Sequence, residues 1–278
     1  MIPAQNEEAA IGQVVSDLLR DQPNLAEVIV VDDGSSDGTA KVAAAAGATV
    51  VRHPLARGYG AAVKSGILAS KGDFVLTLDG DGQHRTTDVA KFLALAEEHD
   101  LVAGHRVRWL HSSAWRLPGK WLLRQLSTYI VRQRIPDINC GLRLYHRDVI
   151  LRYLHLCSDA YSFTATSMVL LIYWRHRVAF VPVDVLPVAG RGRVTVRTGL
   201  DTLMLLLRIA TLLDPLRVFL PISAGVFLAG IAWGAPYALA GHGVSVGALL
   251  LVLTALLLFA VGLLSDQIAQ LRKEQLER

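Results

Sequence analysis

Two carboxylates, Asp79 and Asp81, stand one residue apart at the end of the apolar run Phe74-Val75-Leu76-Thr77-Leu78. The run reads as a buried strand, with a β-branched residue on either side of Leu76. Gly80 and Gly82 then let the backbone turn tightly and bring both acids into one small volume. Acids held that close repel each other unless a cation sits between them. Oxygen ligands with room for water and phosphate suit Mg²⁺ or Mn²⁺. A solvated loop with acids at a strand end is the alternative, and an isolated Asp-x-Asp does not decide between the two.

Two further polar clusters follow strand-like runs. Asn6-Glu7-Glu8 comes just after Met1-Ile2-Pro3, which reads as the end of a strand with most of it missing, as in a truncated or miscalled start. Asp32-Asp33-Gly34-Ser35-Ser36-Asp37-Gly38-Thr39 follows the buried run Val28–Val31. Between the strands the spacing predicts helices over Ala9–Arg20, Asp37–Ala46, Gly60–Ser70 and Thr87–Glu98, with further strands at Ala48–Val51 and Leu101–Ala103. Alternation of this kind indicates an α/β, Rossmann-like, mostly parallel sheet covered on both faces. Ligands of such sheets bind at the carboxyl ends of the strands, where all three clusters fall.

The chain has 278 residues, a net charge of +4 and 52% hydrophobic residues, which is high for a wholly soluble protein. The excess is local: no Asp, Glu, Lys or Arg occurs from Val218 to Ser265. About 20 apolar residues span a bilayer, so the run is long enough for two passes. Val218–Leu239 and Val244–Leu264 are expected to form a transmembrane hairpin, its turn marked by Gly234, Pro236, Gly241, Gly243 and Gly247; a buried helical pair in a soluble core is the alternative. Basic residues flank both outer ends (Arg208 and Arg217; Arg272, Lys273 and Arg278), which places both termini on the cytoplasmic side of the cell membrane. No signal peptide precedes the soluble part. The expected division is a catalytic domain over 1–197, an amphipathic juxtamembrane helix over 198–217, the hairpin over 218–265 and a cytoplasmic tail over 266–278. Cys140 and Cys157 read as ordinary buried thiols.

In order and spacing, Pro3-Ala4-Gln5-Asn6-Glu7-Glu8, Val30-Val31-Asp32-Asp33-Gly34-Ser35-Ser36-Asp37-Gly38-Thr39 and Asp79-Gly80-Asp81-Gly82-Gln83-His84 resemble the family 2 glycosyltransferases of GT-A fold. Within these the chain is similar to the polyprenyl-phosphate sugar transferases, the dolichol-phosphate mannose synthase group, through to Leu264-Ser265-Asp266-Gln267. The resemblance implies nucleotide contacts for Pro3, Glu7, Asp32 and Asp33. It implies a metal held by Asp79, Asp81 and Gln83, bridging the diphosphate of the donor, and it places Asp137 at the reaction centre. Gln5 departs from the Tyr common in the family, which weakens packing on a nucleobase.

Three other stretches complete the expectation. Arg57-Gly58-Tyr59-Gly60-Ala61-Ala62-Val63-Lys64 has glycines at a helix start, where phosphate can approach closely; Gly58 and Lys64 are the candidates, and a plain turn is the alternative. Asp137-Ile138-Asn139-Cys140-Gly141-Leu142-Arg143 offers Asp137 as base or as a partner that orients Arg143. Asp159, Tyr161 and Ser162 form a polar gap that could face the sugar. Leu101–Pro136 carries seven basic residues, no acid, and Trp109, Trp115 and Trp121. This suits interface helices within 110–134 against a lipid bilayer, rather than a solvated basic face; nucleic acid is set aside because the chain also carries two apolar spans. Arg191 and Arg193 are candidates for substrate phosphate, through the forked donors of arginine, with plain membrane anchoring as the alternative.

The expectation is thus a metal-dependent, inverting transferase that moves a sugar from a nucleotide-diphosphate sugar (GDP-mannose or UDP-hexose) to a polyprenyl phosphate, with Asp137, Asp81 and Arg143 as catalytic residues. The rivals are a family 2 transferase acting on another lipid or a polysaccharide, and a non-catalytic membrane scaffold that binds nucleotide sugar. A homo-oligomer is compatible with either.

Overall fold

The computed structural model describes residues 1–107, 128, 133, 135–185, 211 and 214–277. The expected interface helices within 110–134, Arg191, Arg193 and nearly all of the juxtamembrane helix lie outside the described residues. The chain divides into two compact units, Met1–Gly199 and Leu200–Arg278.

The first unit alternates strands and helices as expected. Its elements are β1 (Ile2–Ala4), α1 (Ile11–Asp21), β2 (Ile29–Asp33), α2 (Thr39–Ala45), β3 (Thr49–His53), α3 (Tyr59–Ala69), β4 (Phe74–Thr77), α4 (Val89–Leu93), β5 (Leu101–Arg106), β6 (Arg143–His146), α5 (Arg147–Tyr153), α6 (Phe163–Tyr173) and β7 (Val178–Val183). Strands β1, β2 and β3 pair in parallel, Ile2 opposite Val30 and Val30 opposite Val50. The others run in the order β4-β6-β5-β7. β5 and β7 are parallel, and β6 is antiparallel to both of its neighbours. The Leu78 N–H donates to the Met1 carbonyl at 3.2 Å, which joins β1 to the chain leaving β4.

The strands are near-continuous apolar runs because both faces are covered. Ile2, Val30, Leu76, Val102 and Leu144 lie in one core with the buried face of α1. That helix buries Ile11, Val14, Val15 and Leu18, the i, i+3, i+4, i+7 stripe of an amphipathic helix. Each such side chain contributes about 1.5–3 kcal/mol by leaving water. Cys140 and Cys157 are buried free thiols, pushed up to about 11 and about 12 chiefly by burial.

Topology decides where function can sit. β1 and β2 run parallel, so Glu7 and Asp33 follow strand ends on the same side. β6 opposes β4 with Arg143 across from Thr77, and opposes β5 with Arg143 across from Ala103. The chain entering β6, residues 137–142, therefore meets the chain leaving β4 and β5.

In the second unit α7 (Pro215–Leu239) and α8 (Val246–Glu277) form a hairpin, and each is long and apolar enough to cross a membrane. Their side chains are mostly exposed within the protein itself, as in Leu228, Trp233, Leu257 and Leu264. Exposure of this extent is unlike a buried pair in a soluble core. Small residues let the helices approach: a Cβ on Gly234 would lie 2.8 Å from that of Ala248, and one on Gly230 3.1 Å from that of Leu251.

Candidate active site

Asp79 follows β4 by two residues and is enclosed on several sides. The Tyr59 hydroxyl donates to its Oδ1 at 3.0 Å, and His84 Nε2 faces Oδ2 at 3.9 Å. Gly141 lies against the carboxylate so tightly that a Cβ there would sit 2.2 Å from Oδ2. Burial pushes the Asp79 carboxyl up despite His84 and the Tyr59 bond, and the Asp81 charge pushes it further. Glu7 is also raised, by burial first and then by Asp81, Asp37 and Asp79. Three acids thus crowd one corner at the strand ends.

This corner fits a divalent cation shared with a substrate. Among the described residues no three His, Cys, Asp or Glu side chains converge as a closed metal cage. Mg²⁺ needs no such cage: it keeps water and uses one or two carboxylates plus phosphate oxygens. Asp79 and Asp81 offer such a set, and the mutual repulsion of the acids is what a cation relieves. Gln83 takes part through its backbone, whose N–H donates to Asp81 Oδ1 at 3.0 Å.

Asp137 is buried, and its partner is Arg106 at the end of β5. Nε and Nη2 of Arg106 reach Oδ2 and Oδ1 at 2.6 and 3.0 Å, and the Asn139 N–H adds a bond to Oδ1 at 3.0 Å. Burial pushes the Asp137 carboxyl up, and the Arg106 bond and charge more than offset it, leaving it below the usual range. The Arg106 charge is felt at Asp79 as well. Arg106 was expected on a membrane-facing basic run; the structure places it in the site instead. The sequence reading ended this strand at Ala103, and the structure extends it to Arg106.

Arg143 is not the partner of Asp137: it opens β6 opposite the end of β4, and its side chain turns into the protein. It is wholly buried, with Nε donating to the Cys140 carbonyl at 2.9 Å, Nη2 to that of Ile138 at 2.8 Å and Nη1 to that of Thr164. The guanidinium fork ties the 138–140 loop to the start of α6. The loop holds Gly141 against Asp79, so Arg143 acts at a distance, by shaping that wall.

The two acids after β2 differ. Asp33 uses both oxygens on protein donors: His53 Nδ1 at 2.6 Å and the Arg57 N–H at 2.9 Å on Oδ1, and the Gly58 N–H at 2.8 Å on Oδ2. In the structure Asp33 thus clamps the 53–58 loop. Asp32 accepts the Ser35 N–H on Oδ1 at 3.0 Å. Its Oδ2 makes no hydrogen bond and lies 3.2 Å from Arg52 Nε. Pro3 is buried in β1, with its carbonyl 3.2 Å from where a Gly80 Cβ would be, so β1 backs directly onto the acid loop. The Asn6 N–H donates to Ser35 Oγ and that of Glu7 to Thr39 Oγ1, stitching the first two clusters together.

The glycines at the start of α3 serve packing. Gly58 has φ +106°, and a Cβ on Gly60 would lie 2.2 Å from the Ser158 carbonyl. The Ala61 N–H at the helix start is taken by the Asp159 carbonyl, and Lys64 pairs with the Asp159 carboxylate at 2.7 Å. The 158–160 segment thus packs on the start of this helix, against Gly58, Gly60 and Lys64. The polar gap at Asp159–Ser162 finds its use here. Tyr59 itself went unnoticed in the sequence; only its place between two glycines at a helix start singled it out.

The sequence model described as Glycosyl transferase family 2 matches residues 1–154, and that described as GtrB C-terminal hairpin matches 214–271. Over its whole length the chain is 31% identical to 95% of Glycosyltransferase AglJ of Haloferax volcanii. It is 33% identical over 159 residues to the undecaprenyl-phosphate 4-deoxy-4-formamido-L-arabinose transferase of Proteus mirabilis, a match covering 54% of this chain and 49% of that protein. It is 34% identical over 148 residues to the dolichyl-phosphate hexose transferase of Haloferax volcanii, covering 52% and 64%. The chain thus spans about half of the first of these two transferases and under two thirds of the second. In fold it resembles glucosyl-3-phosphoglycerate synthase from Mycobacterium tuberculosis, solved with Mn²⁺, UDP and glucosyl-3-phosphoglycerate, with a TM-score of 0.61 at 21% identity over 76% of this chain and 77% of that one.

Proposed function

The chain belongs to family 2 of the glycosyltransferases, and from that premise we propose that it moves a sugar from a nucleotide-diphosphate sugar to a polyprenyl phosphate at a membrane surface. The observation that carries this reading is the meeting, at the strand ends, of the acid corner Asp79–Asp81–Glu7 with the Asp137–Arg106 pair. Asp79 and Asp81 would hold Mg²⁺ or Mn²⁺, with the Gln83 side chain a third candidate ligand. The cation would neutralise the diphosphate as negative charge develops on it. Asp32, whose Oδ2 pairs with Arg52, stays a candidate for the nucleoside side, and Glu7 and Pro3 border the same corner.

The acceptor supplies its own nucleophile. A phosphate monoester is mostly anionic near neutral pH, its second pKa being about 6, so its oxygen needs little help from a base. As that oxygen bonds to the anomeric carbon, the bond from that carbon to the diphosphate breaks, and the nucleoside diphosphate leaves with the electron pair. Attack opposite the leaving group inverts the anomeric centre. Asp137, fixed by Arg106, is the candidate for orienting sugar hydroxyls, while Arg106 adds positive charge beside the acids. Arg191 and Arg193 are carried as candidates for substrate phosphate. The names of the relatives, undecaprenyl-phosphate and dolichyl-phosphate transferases, support a lipid-phosphate acceptor. The hairpin supports a membrane location, with both ends cytoplasmic by the positive-inside rule.

The test is a panel of radiolabelled nucleotide sugars offered with one polyprenyl phosphate and Mg²⁺ or Mn²⁺. Label in a mild-acid-labile lipid monophosphate, abolished by chelator, is the expected result. Polymer or a different glycolipid would favour another acceptor class, and no product from any donor would favour a binding scaffold.

A further inference from the structure

We propose that Tyr59 is a positioning residue for Asp79, fixing which carboxylate oxygen faces the divalent cation. This rests on the reading of Asp79 and Asp81 as metal ligands. The Tyr59 hydroxyl donates to Oδ1 at 3.0 Å. Oδ2 faces His84 Nε2 at 3.9 Å, beyond hydrogen-bond distance, while Gly141 packs against both oxygens. One oxygen is therefore held and the other is left to bind.

The tyrosine is in turn held from several directions. It is the first residue of α3, and the Gly58 N–H before it is fastened to Asp33. Its ring stacks on Tyr161, with centroids 5.6 Å apart and planes 12° from parallel. The segment carrying Tyr161 is anchored to α3 by the Ala61–Asp159 backbone bond and the Lys64–Asp159 pair. A carboxylate beside two other acids would otherwise turn away from them. The Tyr59 bond keeps Asp79 in the corner against that repulsion, ready for the cation. Partners that orient a metal ligand are worth about 10–100-fold in metal affinity or activity.

The experiment compares full-length protein in detergent with Tyr59→Phe, Tyr161→Phe and Asp79→Asn. Mn²⁺ binding is followed by the EPR signal of free Mn²⁺, with UDP or GDP present, and transfer is measured against Mn²⁺ concentration. Tyr59→Phe keeps the ring and its stack, so the fold is retained; an unchanged Tm checks this. Its Mn²⁺ affinity should fall about 10–100-fold, with the Mn²⁺ concentration for half-maximal rate rising and kcat at saturating Mn²⁺ near that of the parent. Tyr161→Phe should bind as the parent does. Parent-like Mn²⁺ affinity in Tyr59→Phe, or an equal loss in Tyr161→Phe, would overturn the proposal, since the effect would not run through the hydroxyl bond to Asp79. Equal Mn²⁺ binding by the parent and Asp79→Asn would instead defeat the metal reading on which it rests.

Discussion

Arg106 holds both oxygens of Asp137, and removing it leaves a carboxylate that is only 4% exposed without its cation. Breaking a buried pair costs about 3–5 kcal/mol; Arg106 is itself one-third exposed, so water will reach the gap and Arg106→Ala should fall at the low end, about 3 kcal/mol. The pH dependence has a definite sign. The Asp137 carboxyl lies below its ordinary value when folded. The pair therefore stabilises above the unfolded value, about 3.9, and that contribution is lost as the pH falls through the folded one. In Arg106→Ala burial is opposed only by backbone N–H bonds such as that of Asn139, so the difference in Tm between parent and variant should narrow in acid. A difference that stays constant from pH 7 to pH 3 would contradict the pairing. Arg143 makes a different prediction. A lysine cannot span the three carbonyls that its fork joins, so Arg143→Lys should lose stability and activity nearly as Arg143→Met does. A parent-like Arg143→Lys would show that charge alone is what this position needs.

At the scale of elements, the start of α3 is clamped between the 53–58 loop and the 158–160 segment, and glycine makes that clamp possible. Gly60→Ala brings a Cβ to 2.2 Å of the Ser158 carbonyl, backbone that cannot turn aside. Thermal denaturation should show a loss of more than about 2 kcal/mol, overpacking typically costing 1–3, with weaker metal binding because Tyr59 moves. Gly225→Ala in α7 has nothing within 4 Å of the new Cβ and should leave the Tm in detergent unchanged. These close contacts also mark what could be read from the chain alone. The strand–helix alternation, the three strand-end clusters and the apolar hairpin were legible because each is a local pattern: apolar period, turn glycines, length. Arg106 and Arg143 were misplaced because their roles depend on β6 entering antiparallel between β4 and β5, a long-range pairing with no local signature. The Gly-Tyr-Gly start looked like a phosphate loop because glycine that admits a phosphate and glycine that admits a carbonyl are the same residue in sequence.

At the scale of the whole molecule, the first unit carries the candidate site and the second carries two helices fit to cross a bilayer. The orientation proposed for them has a direct check. His242→Cys puts a thiol in the loop between α7 and α8, while Cys140 and Cys157 are buried thiols raised to about 11 and about 12, poor competitors for labelling. In intact cells a membrane-impermeant maleimide should label the new cysteine from outside; labelling only after lysis would reverse the topology. The central claim is chemical, and one measurement meets it head-on. Full-length protein, Asp79→Asn and Asp81→Asn are each given labelled nucleotide sugar, polyprenyl phosphate and Mn²⁺, and the organic phase is counted. The account predicts lipid-linked label with the parent and a loss of at least about 100-fold with either variant, the upper end of what a metal site's supporting groups are worth. Parent-level lipid product from either variant would contradict it.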